Sequence, residues 1–363
     1  MKKPVFSLTG KADTALVVAT GDLNEFNQPV KPVSLSQDAW RRLKKNKMAL
    51  AGLYIVLFYS ALSLCAPLLP LYPYERQEIQ HIYLPPSLQS AGVVMLRTRE
   101  AYFAKVMAQE KRSAYTAAEQ AELAAMRADI TTNPVHKRVY ILGTDILGRD
   151  MLSRIIYGGR ISIGIGVLGT ITALIIGIFF GAMAGYAGGR VDNLIMRFVD
   201  VMYGLPYMLV VIILMAIVGR SIFILFVAIA LVSWLTIARV VRGQIMSLKN
   251  AEFVQAAASV GAGTGRIIAK HLLPNTLGII IVYATLSLPS FIMNESFLSF
   301  LGLGVSAPLA SWGSLVSDGV KGMELYPWLL IAPAVAMTIF LFAMNFLGDG
   351  LRDSFDPQSK NRT

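Results

Sequence analysis

Long apolar runs separated by short charged stretches dominate the chain. The runs fall at Met48–Leu71, Ile161–Ala187, Leu205–Val218, Ile222–Val241, Leu277–Leu301 and Trp328–Leu347. An α-helix needs roughly 20 apolar residues to cross a bilayer, and the first run meets that length. The pattern predicts an all-α integral membrane protein with six transmembrane helices. The first run follows 47 largely polar residues, which predicts a retained span rather than a cleaved leader.

Charge assigns the sides. RRLKKNK (Arg41 to Lys47) lies directly before the first run, and basic clusters of this kind stay in the cytoplasm. Alternating the spans from there places Arg190 and Arg197, and then Arg239, Arg242, Lys249, Arg266 and Lys270 against Glu252, on the cytoplasmic side. Both termini fall on that side as well. Gly219 to Ser221 (GRS) suits a tight turn outside. Expected units are a partly flexible tail over 1–47, the first span over 48–71, an extracytoplasmic loop over 72–160, a five-helix domain over 161–349 and a C-terminal tail over 350–363. Within the outer loop, Arg99 to Ile130 is rich in Ala, Glu, Lys, Met and Arg, and TAAE puts Thr116 and Glu119 in capping-box spacing. Two short helices outside the membrane are predicted there.

Two features of the spans concern packing and polarity. Gly169, Ala173, Gly177, Gly181, Gly185 and Gly189 recur every four residues, so they fall near one helix face. Small residues on one face let a second helix approach closely in lipid; the pattern does not say whether that helix belongs to this chain. Glu295, beside Asn294, lies inside the fifth run. An intramembrane carboxylate costs a few kcal/mol unless paired or hydrated, and by default marks a substrate or proton site. Its place toward the outer end also allows a structural bond to a neighbouring helix or backbone, and that reading is favoured. Asp200 and Asp349 fall near inner ends of spans, where water is available.

Composition agrees with lipid as the solvent. Hydrophobic residues make up 55%, charged residues 15%, and the mean hydropathy is +0.57, too apolar for an ordinary soluble domain of 363 residues. The net charge of +11 therefore reads as topology rather than as a nucleic-acid footprint. Cys65 is the single cysteine, so no intrachain disulfide forms, and His81, His136 and His271 show no metal-ligand spacing.

The segment between the fourth and fifth runs is unlike the rest. Glu252 to Asn275 reads EFVQAAASVGAGTGRIIAKHLLPN; Ala256, Ala257 and Ala258 favour helix, Gly261, Gly263 and Gly265 interrupt it, and Pro274 stops or restarts the chain. A short helix, a turn and a second short helix are predicted. GAGTG has no preceding strand and lacks the full dinucleotide fingerprint. GxxxxGK[ST] is absent, Gly10–Lys11 being followed by alanine, and so are HExxH and GxSxG. Energy for any driven process must then enter through a partner, and a projecting helix with small residues suits docking in a partner's groove.

QAAASVGAGTGRIIAKHLLPN resembles the cytoplasmic loop of inner-membrane permease subunits of bacterial binding-protein-dependent ABC importers. Gln255, Ala256, Ala257, Gly261, His271, Leu273 and Pro274 occupy the pattern's places. Gln255 stands where the pattern has glutamate, with Glu252 one turn earlier, and His271 stands for isoleucine, KHLLPN being the usual form of the peptide-importing branch. LGTDILGRDMLSRIIYGGRIS, GGRVDNLIMRFVDVMYGLP, SWLTIARVVRGQIMSLKNAEF, NESFLSFLGLGVSAPLASWGSLVSDG and NFLGDGLRDSFDP resemble, in order, the oligopeptide-permease C-type subunit. The likeness covers about Asp38 to Pro357, except for an apparent insertion over about 88–140.

The resemblance implies a non-catalytic permease subunit of the inner membrane. It would pair with a second, B-type subunit, two ATPase subunits that bind ATP and Mg, and an extracytoplasmic peptide-binding protein. Coupling to the ATPases would run through residues 250–275, the alanines and Gly261 fitting the groove, Arg266 and Lys270 pairing with acidic groups beside it, and Glu252 supplying a carboxylate. Dipeptides, nickel chelates or another small solute are alternative cargoes. A proton-coupled carrier built on Glu295 is the rival of another class.

Overall fold

A computed structural model describes residues 35–355 apart from 220. The tail expected over 1–47 lies outside the described residues up to residue 34, as does the C-terminal tail from 356 onward. All the regular elements described are helical.

α1 (Leu35–Lys45) precedes α2 (Lys47–Leu64), and Asn46 between them caps α2 by accepting from Met48 N–H and Ala49 N–H at 3.1 and 3.2 Å. α2 stops at Leu64, seven residues before the expected end of the first span, with the short 3₁₀ turn Ala66–Leu68 after it. Pro67 and Pro70 explain the difference, since a ring without an N–H cannot continue the ladder.

Three other helices extend beyond their apolar runs. α5 (Met151–Ala187) has 37 residues and starts ten before the expected Ile161, capped by the Asp150 carboxylate accepting from Ser153 N–H at 3.0 Å. At 1.5 Å per residue it is about 55 Å long, so only part of it fits a hydrocarbon core. α8 (Ile222–Leu248) runs past Val241, because the Arg242 guanidinium is neutralised by Asp192 at 2.5 and 2.6 Å. α13 (Trp328–Phe355) runs eight residues past Leu347. The third run, expected over Leu205–Val218, is helical as α7 (Tyr207–Val218), and the connection before it is itself a helix, α6 (Gly189–Gly204), meeting α7 at 82°, with Leu205 extended ahead of Pro206, as a residue before proline prefers. Among the described residues five helices are long and apolar enough to cross a membrane, or six if α6 and α7 count as one.

The loop after α8 also differs from expectation. α9 (Glu252–Ser259) is the short first helix. The second, α10 (Thr264–Ile267), does not end at Pro274 but passes through a π-turn at Ile268–Leu272 into α11 (Leu273–Phe300). Widening the turn accommodates the proline ring and its missing N–H without a break.

α5 packs along α8 more extensively than any other pair of helices. Cβ atoms built at Gly177, Gly181 and Gly185 would lie 2.7 Å from Ile237 Cβ, 2.5 Å from Ala238 O and 2.8 Å from Arg242 O, so the seam closes on a helix of this same chain. Gly169 meets Phe291 of α11 instead, and Ala173 is fully buried. Gly189, expected on the same face, lies beyond the end of α5 at φ +53° and touches nothing within 4 Å. The start of α2 meets the end of α13 where Gly350 backs onto Ala49, and the start of α11 meets Phe355 at Gly278. α1, α9, the ends of α5, α8 and α13 and the starts of α2 and α11 therefore share one end of the bundle.

The opposite end carries residues 88–140. α3 (Ala91–Gln109) and α4 (Ala117–Thr132) pack as a hairpin, tied by Arg99–Glu122 at 2.5 Å and Arg127–Glu100 at 2.9 Å. α3 begins eight residues before the expected Arg99. The Thr116–Glu119 capping box is formed, and the Arg112 guanidinium holds the Glu119 carboxyl down at about 2. Beyond it, α12 (Trp312–Val320) is a short helix with a Ser311–Ser314 capping box.

His81 and His136, far apart in sequence, meet at the base of the α3–α4 hairpin. His136 Nε2 lies 3.1 Å from Asp129 Oδ2, His136 Nδ1 lies 2.9 Å from His81 Nε2, and His81 Nδ1 lies 2.9 Å from the Tyr140 hydroxyl. For two neutral rings one assignment satisfies all three: His136 donates to the carboxylate, His81 donates to His136, and Tyr140 donates to His81. Burial, with His136 adding to it, lowers His81 from 6.5 to about 4. The unfolded segment therefore takes up a proton first as pH falls, so stability is full above about 6.5 and is lost toward 4. The loss is on the order of 3 kcal/mol at 1.36 kcal/mol per pH unit. Amide exchange across residues 91–132 should accelerate over that window, and His81→Gln should flatten the profile.

Candidate functional site

The loop 250–275 is held to the bundle by three apolar anchors, and its outer face is left free. Val254 of α9, Ile267 of α10 and Leu272 of the π-turn are 4%, 2% and 0% exposed and belong to the main core with α5 and α8. Around them Glu252, Gln255, Ala256, Gly261, Arg266, Lys270 and Pro274 are exposed, and Ala257, His271 and Leu273 are half-buried. α9 is thus pinned along one side and presents small residues on the other.

Gly261 makes the sharp reversal between α9 and α10. Its φ of +83° is open to glycine at little cost, and the Ala262 N–H closes the turn on Ala257 O at 3.1 Å. Beside it Val260 is 87% exposed and, on α9, Phe253 is 40% exposed. Sequence reasoning passed over both, because an apolar residue next to a glycine turn reads as core until the turn's direction is known. Gln255 donates through Nε2 to Asn250 O at 3.0 Å, a bond that a glutamate could not make. Arg266, Lys270 and Glu252 form no ion pair among the described residues. The loop therefore offers a solvated carboxylate, two solvated cations and a bare apolar knob around an alanine face.

α6 braces this end from the side. Besides Asp192–Arg242, Asp200 pairs with Arg239 at 2.5 Å, and that guanidinium lies 4.2 Å from the Tyr203 ring centre. α6 is thereby fastened to α8 at two points.

Glu295 lies at the far end and takes no part in the loop. It is fully buried on α11; its Oε1 accepts from Ser299 Oγ at 2.7 Å and from Ser311 Oγ at 2.6 Å, with Ser162 alongside. Ser311 is the N-cap of α12, so the carboxylate ties α12 to α11. Asn294 is half-buried.

Residues 177–361 match the family model for the inner membrane component of binding-protein-dependent transport systems, and residues 34–86 match that for the N-terminal transmembrane domain of oligopeptide transport permease C. The dipeptide transport system permease protein DppC of Bacillus subtilis (strain 168) is 41% identical over 94% of this chain and 92% of its own length. The oligopeptide transport system permease protein OppC of Haemophilus influenzae is 49% identical over 62% of this chain and 73% of its own. OppC of Escherichia coli (strain K12) is 38% identical over 90% and 92%. The chain belongs to the family of inner-membrane components of binding-protein-dependent transport systems, among the oligopeptide and dipeptide permease C proteins.

Proposed function

We propose that this chain is one of two membrane subunits of an ATP-driven peptide importer in the bacterial inner membrane, and that the α9–Gly261–α10 loop is where a cytoplasmic ATPase pushes on it. The observation that carries this is a loop anchored in the core by Val254, Ile267 and Leu272 while its alanine face, Val260 and Gly261 stand free. A helix of this form transmits force applied at its outer face directly into α8 and α11.

In this reading α7 is the third of six spans and α6 lies along the cytoplasmic end before it. Arg41, Arg42, Lys44, Lys45, Lys47, Arg190 and Arg197 then lie on the loop's side of the bundle, the cytoplasmic one, together with both termini. ATP and Mg belong to two partner ATPase subunits. The B-type permease subunit completes the translocation path, and an extracytoplasmic binding protein delivers peptide to the end bearing α3 and α4. The test is affinity purification in mild detergent followed by ATPase and uptake assays after reconstitution. Recovery of ATPase subunits, with hydrolysis stimulated by peptide-loaded binding protein, is expected; uptake by the lone chain would overturn the reading.

Three substitutions sharpen it. Exchanging Glu252 for alanine should weaken ATPase association about two- to fivefold, the scale of one exposed ion pair. Gln255→Ala should do less, since its amide is turned onto Asn250 O. Glu295→Gln retains an oxygen for the two serine hydroxyls and should leave uptake largely intact, whereas a proton-coupled carrier would lose it altogether.

A further inference from the structure

The outer end of the bundle holds a recess that the coupling loop does not use. A cavity of about 350 Å³ opens between the first turns of α5, the end of α12 and the start of α13. Ile146, Met151, Leu315 and Leu329 give it an apolar wall, and Arg154, Asp318 and Lys321 supply charge.

Arg154 is the unusual member. It is 3% exposed; its Nη1 donates to the Asp145 carboxylate, its one hydrogen bond among the described residues, and its Nε is buried without an acceptor. Asp145 cannot take more. Its Oδ1 accepts from Leu147 N–H and Arg149 N–H at 2.9 Å each, and its Oδ2 accepts from Arg149 Nε at 2.7 Å as well as from Arg154. Two guanidiniums share one buried carboxylate. Asp318 lies 3.6 Å from Lys321, so the charges lining the recess balance, Arg154 and Lys321 against Asp145 and Asp318, but Arg149 outside it claims part of Asp145 and leaves Arg154 short of an acceptor. A buried cation with unmet donors is costly, and the group that relieves it is an anion able to take a guanidinium's paired N–H bonds.

The rim is also fixed unusually. Tyr83 lines the recess at φ +57°, a strained value for a bulky residue, and such strain is held where the surroundings enforce it, often at ligand sites. Its ring is stacked on Tyr326 at 3.9 Å and its N–H donates to Asp145 O at 3.2 Å. The cavity is at the small end of ligand pockets, which run from about 300 to 1,000 Å³. It has room for the end of a chain rather than for a broad protein interface.

We propose that this recess is a carboxylate-binding subsite for the C-terminal residue of an incoming peptide, the carboxylate facing Arg154 and Lys321 and the side chain lying on Leu315 and Leu329. The proposal rests on the peptide-importer reading. It gives the outer end a chemical preference of its own, for a free C-terminus beside an apolar side chain.

The test is photo-cross-linking of the assembled importer in detergent, without binding protein, by a tripeptide of two alanines and a C-terminal photoleucine, and by the same peptide as its amide. Saturable labelling of Leu315, Leu329 or Ile146 by the acid is expected. It should fall at least about tenfold with the amide, the scale of one lost charge-assisted hydrogen bond. Lys321→Glu should lower it too, and because that side chain is 77% exposed the variant keeps the fold even if Arg154→Gln does not. Equal labelling by acid and amide, or labelling indifferent to Lys321→Glu, overturns the proposal. Protection of the recess by peptide-free binding protein but not by the tripeptide assigns it to a protein contact and overturns it equally. Peptide uptake by the reconstituted wild-type importer separates the two readings: uptake without recess labelling sinks the subsite alone, and absence of uptake sinks the importer reading.

Discussion

A leucine at Gly181 should leave almost no folded protein in mild detergent, whereas a leucine at Gly164 should be tolerated. Both positions lie in α5, and both substitutions improve intrinsic helix propensity by up to about 1 kcal/mol, so propensity cannot separate them. Contact does. A Cβ at Gly181 would sit 2.5 Å from the Ala238 carbonyl oxygen and 2.9 Å from Val241 Cβ, while one at Gly164 meets nothing within 4 Å. Overpacking costs about 1–3 kcal/mol where side chains can swing aside. At Gly181 the obstacle is backbone, and relief requires α8 as a whole to move away from α5. That separation would also pull on the Asp192–Arg242 and Asp200–Arg239 pairs that fasten α6 to α8. A total cost of about 3 kcal/mol or more is a large share of the roughly 5–15 kcal/mol that holds a typical fold. Fluorescence-detected size exclusion and thermal melts of the two variants side by side check it; similar behaviour of Gly164→Leu and Gly181→Leu would sink the account of the seam.

That contrast marks how far the sequence could be read. The four-residue spacing of Gly177, Gly181 and Gly185 is visible in one dimension because a helix face is a local property. The identity of the opposing helix is not, since Ala238 and Arg242 come into register only when α8 folds back. Hydropathy likewise finds the lipid-covered part of a helix and stops at the first charge. It therefore ended the fourth span at Val241 and started the second at Ile161, although Asp192 neutralises Arg242 and Asp145 pairs with Arg154, letting both helices continue. Pro274 reads as a break because the rule concerns α-geometry; the π-turn before it escapes the rule. The Thr116–Glu119 box is legible, being four residues long, and the His81–His136 pair is not, being joined only by the fold of the outer loop. In the loop 250–275 the residue types were legible, but the exposure of Val260 and the inward turn of the Gln255 amide depend on which way the chain leaves Gly261.

The second large effect is expected at Gly261 itself, where tryptophan should abolish peptide uptake while the membrane subunit still folds and inserts. The turn has a φ of +83° and no neighbour within 4 Å, so added bulk meets no part of this chain. What any L-residue does meet there is backbone strain, about 1–2 kcal/mol for a left-handed conformation and less for asparagine. This strain falls on a solvated turn whose anchors, Val254, Ile267 and Leu272, lie elsewhere in the loop. Comparing Asn, Ala and Trp therefore separates strain from bulk. Gly261→Asn should keep most uptake and Gly261→Ala should lose some. Gly261→Trp should lower uptake by more than tenfold and release the ATPase subunits on purification, because a groove closed around α9 has no room for an indole beside Val260. An aspartate at Val260 tests the same groove without touching the turn: it removes an 87% exposed apolar knob and should weaken ATPase binding with no change in thermal stability. If Gly261→Ala is as damaging as Gly261→Trp, backbone shape rather than the groove governs coupling. If both variants transport normally, force enters the bundle elsewhere, and the side-braced α6 becomes the element to examine.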